Sequence, residues 1–217
     1  MFISRSETET IDAAIARVEA RTGVQVVTAI VGKADAYAGL PWMAFALGVS
    51  LAALTAVIVD WVRPDWITAQ VALLTTVTIL AAGGASALAA VFIPAYARLF
   101  LRRALRDLEV RHYAQSLFLR RELFKTRART GILILVCKFE RKVEILPDVG
   151  LYGRMAGADW DRVIAAMAPL LRAGRFPEAL HAGVALLGQV LAAKGFARRA
   201  GGEDELPDGP FEEQGPS

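Results

Sequence analysis

The chain of 217 residues contains a single cysteine, Cys137, and only two histidines, His112 and His181. One cysteine cannot form a disulfide framework, which fits a reducing compartment. The two histidines are too far apart in the chain for an H-E-x-x-H metal site. A net charge of +3 is too small to indicate a nucleic-acid ligand. Charged residues are also absent from two long stretches, Ala36 to Val59 and Trp66 to Ala97.

These two uncharged stretches predict a transmembrane hairpin, residues 36–97. Each exceeds the roughly 20 helical residues that cross a hydrocarbon core of about 30 Å. We place the spans at about residues 42–60 and 67–95. Two buried helices of a globular protein are the alternative, but a chain of 217 residues has too little other sequence to cover them. Aromatic residues suited to the headgroup layer lie near the ends, namely Tyr37, Trp42, Trp61, Trp66 and Tyr96.

The distribution of basic residues predicts the orientation. Five arginines (Arg98, Arg102, Arg103, Arg106 and Arg111) follow the second span and Lys33 precedes the first, whereas the turn contains only Arg63. The positive-inside rule therefore places both termini in the cytoplasm and the turn outside. We expect the membrane to be the cell inner membrane. We expect no cleavable signal peptide, because the first apolar run begins about 35 residues into the chain.

The composition of the spans argues against transport. Apart from Asp60 at the end of the first span, they contain no acid, base or histidine, so nothing indicates an ion path or a proton relay. Their many alanines and glycines predict close packing of the two spans and leave a homo-oligomer open.

The remaining soluble sequence predicts an α/β fold, a small sheet with flanking helices, interrupted by the hairpin. We divide it into residues 1–35 and 98–199, followed by a disordered acidic tail at 200–217. The predicted strands are Val24–Val31, Gly131–Cys137 and Lys142–Leu146, with the first paired to the second. The predicted helices begin at a Ser6–Glu9 capping box, at Arg98, at Trp160 and at Pro177. The helix from Arg98 to Arg120 is basic and amphipathic, with one predicted stripe at Leu101, Leu105, Leu108, His112 and Gln115 that ends at Leu117 and Phe118.

Several short segments together resemble the TPM domain family, and in particular a bacterial branch of membrane proteins with a two-span hairpin inserted in the domain. These segments are Glu19–Gly23, Thr130–Val136, Glu140–Ile145, Asp148–Gly150, Trp160 and Gly174–Leu180. The resemblance implies a TPM-like α/β sandwich. The family includes thylakoid-lumen proteins linked to photosystem II repair, and it has been credited with acid phosphatase activity in plants and with calcium binding.

Candidate chemistry is sparse in the sequence. Cys137 ends an apolar strand and lacks the C-x5-R spacing of a cysteine phosphatase, so we assign no catalytic residue. Asp148, Asp159 and Asp161 could supply oxygen ligands for Ca²⁺ or Mg²⁺, and the resemblance supports Asp148. The alternative is that Asp148 forms a turn and that Asp159 caps the helix at Trp160. No other cofactor is expected.

Our first hypothesis for function is a non-enzymatic interaction or assembly module that docks an unknown membrane protein partner at the membrane surface. The alternative is a metal-dependent phosphatase-like hydrolase that uses Asp148 with Asp159 or Asp161. Four arginines beside the second span could also contact anionic lipid headgroups, or they could only fix the topology: Arg98, Arg102, Arg103 and Arg106.

Overall fold

The computed structural model describes residues 4–63 and 68–197 and the backbone of residues 211–213. The chain forms two compact units. Residues 1–35 and 107–217 form one, which we call the sheet unit. Residues 36–106 form the other, which we call the hairpin unit.

The first helix of the sheet unit, α1 (Arg5–Thr22), is closed at both ends by local hydrogen bonds. The capping box predicted at Ser6 lies two residues earlier, because Ser4 and Glu7 form it. Glu7 N donates to Ser4 Oγ at 3.3 Å, and Ser4 N donates to Glu7 Oε2 at 2.7 Å. Gly23, at φ 70°, ends the helix as predicted, since a left-handed residue suits this position.

A small mixed sheet lies at the centre of this unit, with strand order β3-β2-β1-β4. Strand β1 (Gln25–Val31) pairs in parallel with β2 (Gly131–Cys137), which confirms the predicted pairing. Strand β3 (Lys142–Pro147) pairs antiparallel with β2. The predicted fold class, a small sheet with flanking helices, is therefore confirmed.

A fourth strand, β4 (Phe211–Glu213), pairs in parallel with β1. It lies within the tail that was expected to be disordered, so these three residues differ from that expectation. The free edge of β1 explains the difference, because an edge strand offers unpaired backbone groups to any extended segment nearby. The rest of the predicted tail lies outside the described residues.

Helices cover both faces of the sheet. The first face packs against α1, α6 (Gly157–Arg172) and α7 (Phe176–Ala193). The second packs against α5 (Arg103–Arg120).

The helix predicted from Arg98 to Arg120 is divided in two, so that prediction is wrong. A short helix, α4 (Pro94–Phe100), ends where Leu101 takes an extended backbone with ψ 102°. The predicted apolar stripe is correct only at its end, because α5 turns a different face inward over most of its length. Leu117 and Phe118 are buried, together with Val110 and Ala114, whereas Leu105, Leu108, His112 and Gln115 are exposed. The inward positions 110, 114 and 117 have helical spacing and meet the apolar side chains of the second sheet face.

The hairpin unit contains two long apolar helices, α2 (Gly39–Val62) and α3 (Ala69–Phe92), with mean hydropathies of 2.2 and 1.9 over their most apolar stretches. Their large side chains point outward; Trp61 is 85% exposed and Phe92 76%. Among the described helices α7 is also long and apolar enough to cross a membrane, but 44% of its apolar stretch is buried in the sheet unit. The outward apolar surfaces of α2 and α3 are compatible with insertion in a bilayer.

Two glycines let α2 and α3 approach closely. A Cβ at Gly48 would lie 2.8 Å from Ala82 O, and one at Gly83 would lie 2.5 Å from Val49 Cγ2. Ser86 Oγ also donates to Ala44 O at 2.7 Å, which links the two helices by a hydrogen bond. The predicted close packing of the spans is therefore seen within one hairpin.

The close contact between Gly83 and α2 can be tested by substitution. Gly83→Val should force α2 and α3 apart and destabilise the hairpin by about 1–3 kcal/mol, because overpacking shifts the neighbouring side chains. Gly84→Val should have little effect, since a Cβ there meets nothing within 4 Å. Distances between spin labels at positions 47 and 88, measured by electron spin resonance, would lengthen only in the first variant. Equal distances in both variants would contradict the packing role of Gly83.

Candidate functional site: the Asp148 corner

Asp148 and Arg129 meet where β3 ends and β2 begins. We call Arg129 together with Asp148–Tyr152 the Asp148 corner. The antiparallel register places Pro147 opposite Ile132, so the residues flanking these two strand ends are neighbours. Asp148 N donates to Gly131 O and Gly150 N donates to Arg129 O, both at 2.8 Å. The corner is thus fixed to the sheet by its backbone.

The Asp148 carboxylate is held by a two-point ion pair. Arg129 Nε donates to Oδ2 at 2.8 Å and Arg129 Nη2 donates to Oδ1 at 3.0 Å. Oδ1 also accepts from Val149 N at 2.7 Å. The Asp148 side chain is only 3% exposed, whereas that of Arg129 is 49% exposed. Hydrogen bonding to Asp148 raises the pKa of Arg129, as expected for a paired guanidinium.

The backbone at this corner leaves little freedom. Arg129 has φ 54°, a left-handed conformation that is unusual for a residue with a side chain. A Cβ at Gly150 would collide with Ala128 O and would lie 2.5 Å from Arg129 O. Glycine is therefore required at position 150, which explains the Asp148–Gly150 segment in physical terms.

The rigid corner presents two apolar side chains to solvent. Val149 is 53% exposed and Tyr152 is 62% exposed, whereas Leu151 between them is fully buried. The guanidinium carbon of Arg129 lies 6.0 Å from the centre of the Phe124 ring. An anchored turn with outward apolar side chains has the geometry of a contact surface for another protein.

Asp159 lies in a different environment, at the start of α6. Its Oδ2 accepts from Ala156 N at 2.8 Å and contacts Lys194 Nζ at 2.6 Å. The hydrogen bond with Lys194 lowers the pKa of Asp159, and the bond from Ala156 N lowers it further. Asp161, two residues later, is exposed.

The three predicted metal ligands are not brought together. Within residues 4–63 and 68–197 there is no group of three or more histidine, cysteine or acidic side chains that could hold a metal ion. Asp148 caps a turn and Asp159 caps a helix, in the roles that we considered as the alternative to metal binding. A metal at either aspartate remains a prediction, and it would have to compete with Arg129 or Lys194.

The structure also describes the other residues considered from the sequence. Cys137 is fully buried, and burial raises the pKa of its thiol. His112 is exposed on α5 and His181 is half-buried on α7. Arg102, which lies between α4 and α5, and Arg103, the first residue of α5, are exposed, while Arg98 and Arg106 are half-buried.

No local sequence pattern indicates the partners that define the corner. Arg129 and Asp148 are 19 positions apart, and only the β2–β3 register brings them together. Lys194 is likewise 35 positions from Asp159 in the chain. Val149 and Tyr152 were not singled out, because their exposure depends on how the turn is anchored.

The pKa of Asp159 predicts a pH-dependent contribution to stability. Because folding lowers this pKa below its usual 3.8, the stabilisation is present at neutral pH and is lost as the pH falls through the folded-state value. Asp159→Asn should therefore lower the thermal unfolding midpoint at pH 7, and its difference from wild type should shrink as the pH falls below about 4. Asp161→Asn, which removes an exposed carboxylate two residues away, is the control. A pH-independent difference for Asp159→Asn would contradict the assigned ion pair.

Comparisons with known proteins agree with this fold. Residues 97–190 match the family model of the TPM domain. No curated protein matches the chain. Among solved structures, the NMR structure of the BA42 protein from the psychrophilic bacterium Bizionia argentinensis is similar at a TM-score of 0.59 and 16% identity, covering 98% of this chain and 97% of that one. At this identity the likeness concerns the fold alone. The family match agrees with the resemblance found in the sequence, and it places the similarity to the TPM domain at residues 97–190.

Proposed function

We propose that this protein is an integral inner-membrane protein whose cytoplasmic TPM domain docks a membrane protein partner without catalysing a reaction. One observation carries the proposal. The Asp148 corner has its acidic group neutralised from within the chain, while its apolar side chains face outward. Such a surface is suited to contact rather than to chemistry.

A hydrolase would need different properties at this corner. A metal ligand or nucleophile needs carboxylate lone pairs that are available to the reacting partner. In Asp148 three hydrogen bonds already use both oxygens, and two of them come from a guanidinium. Removing Arg129 from Asp148 would leave a carboxylate that is 3% exposed without its counter-charge, which is costly. The pair therefore favours a structural role for Asp148.

The membrane part of the proposal rests on α2 and α3 and on their flanks. The outward apolar side chains of both helices suit lipid, and the basic residues after α3 favour a cytoplasmic location by the positive-inside rule. Both flanks of the hairpin unit belong to the sheet unit, so both termini are proposed to be cytoplasmic.

Labelling at Tyr152 tests both docking and topology. We would place a cysteine at position 152 and, as a control, at exposed position 165 on α6, and label each with a membrane-impermeant maleimide. Neither should react in intact cells, and both should react after permeabilisation; Cys137 should stay unreactive because it is buried. In native membranes position 152 should react more slowly than position 165, because the partner covers the corner. After purification in detergent the difference should disappear.

Labelling in intact cells would refute the cytoplasmic location. Equal rates at the two positions in native membranes, with both cysteines reactive, would refute docking at the Asp148 corner. The two parts of the proposal can thus fail separately.

We also propose that Arg98, Arg102, Arg103 and Arg106 contact anionic headgroups. Each basic residue near a membrane surface contributes about 1 kcal/mol, or about fivefold in affinity. Replacing exposed Arg102 and Arg103 by Glu should reduce the phosphatidylglycerol retained by the protein in native mass spectrometry after release from nanodiscs. Glu at exposed Arg162 and Arg172 on α6 makes the same charge change as a control. An equal loss of lipid in both variants would show a net-charge effect and contradict the contact.

A further inference from the structure

The edge of β1 that faces away from β2 already has a strand bound to it. Phe211–Glu213 pairs there in parallel, with Ala29 opposite Phe211, Ile30 opposite Glu212 and Val31 opposite Glu213. Only three of the seven residues of β1 are paired on this side, whereas all seven are paired with β2. The bound strand is thus much shorter than the edge to which it binds.

The backbone hydrogen bonds show which groups this edge offers. Val31 O accepts from Lys138 N at 3.0 Å, so the odd-numbered residues of β1 direct their backbone groups towards β2. Because these groups alternate along a strand, Val26, Thr28 and Ile30 face the other edge. Val26 N donates to Glu19 Oε1 at 2.7 Å, which caps the start of that edge. Ile30, which pairs with Glu212, therefore directs its backbone groups towards Phe211 and Glu213.

We propose that this edge of β1 is a peptide-binding site for an extended segment of a partner protein, added in parallel and carrying an apolar residue followed by two acidic residues. Phe211–Glu213 of the chain itself occupies the site until such a segment displaces it. This inference rests on the proposed docking function, to which it adds a second surface and the chemistry of the partner.

Two features support exchange at this site. A pairing of three residues is short, since strands usually have about five or six. Phe211 is connected to the folded domain through residues 198–210, and such a tether raises the local concentration of a weak ligand without new contacts. A partner segment that also pairs with Thr28 would form more backbone hydrogen bonds with this edge than the three-residue strand does.

A positive charge lies near the end of β1, opposite in sign to the acidic residues of the proposed segment. The register places the two acidic residues beside Ile30 and Val31, and the exposed Lys33 follows two residues later. Its ammonium group lies 5.4 Å from the centre of the Phe139 ring, which holds it near this end of the sheet. A cation at this end of the sheet favours a partner segment that carries acidic residues.

The inference can be tested with a fluorescent peptide of residues 207–217 and two variants of the membrane protein, each reconstituted in nanodiscs with its hairpin. One variant lacks residues 200–217, and the other keeps them but carries Glu213→Pro, which removes a backbone N–H from the pairing. Both should bind the peptide, as measured by fluorescence anisotropy, and the wild-type chain should bind it about tenfold more weakly because its own segment competes. Far-UV circular dichroism would confirm that each variant is folded.

Peptide variants provide the matched control. A peptide with Glu213→Pro should lose binding, and a peptide with Gln214→Pro, which changes a residue just beyond β4, should keep it. The inference would be overturned if neither the variant that lacks residues 200–217 nor the Glu213→Pro variant bound the peptide. Equal binding of the two proline peptides would also overturn it. A wild-type dimer that dissociates on removal of residues 200–217 would assign the site to a second copy and also overturn it. None of these outcomes changes the labelling at position 152, so the docking function is tested separately.

Discussion

Strand β1 pairs in parallel with β2, and this pairing determines how the chain must enter and leave the hairpin unit. It joins residues 25–31 to residues 131–137 over their full length, although the hairpin unit lies between them in the sequence. A parallel pair needs a crossover, and α5 supplies the helix that covers the sheet on the return. Because both strands belong to one folded unit, any membrane crossing between them must occur an even number of times. Two apolar helices meet this requirement.

The features that could be predicted from the sequence are those with a local signal. The β-branched runs at Val24–Val31 and Gly131–Cys137 identified the two central strands, and their continuous apolar character indicated burial on both faces. The inward face of α5 was predicted wrongly because apolar residues occur on both sides of that helix, and only the sheet decides which side is buried. The pair of Arg129 and Asp148 has no local signal at all, since it depends on the register of β2 with β3.

Four acidic side chains of the sheet unit have the same structural role. Each accepts a hydrogen bond from a backbone N–H group near the start or end of a strand or helix: Glu19 from Val26, Glu140 from Ala34, Asp148 from Val149 and Asp159 from Ala156. A buried backbone N–H without a partner is costly, so each carboxylate stabilises an end that the sheet or helix cannot satisfy. This use explains why acids that looked like metal ligands in the sequence are dispersed in the fold.

The proposed assembly role is consistent with where the two proposed contact surfaces lie within the sheet unit. The strand order β3-β2-β1-β4 puts β3, which leads into the Asp148 corner, at one edge of the sheet and the proposed peptide-binding edge of β1 towards the other. Gly150 and the ion pair fix the corner, whereas only three residues of β1 are paired with β4. On this proposal a partner at the corner would leave the β1 edge accessible, so that two proteins would bind one domain at the same time.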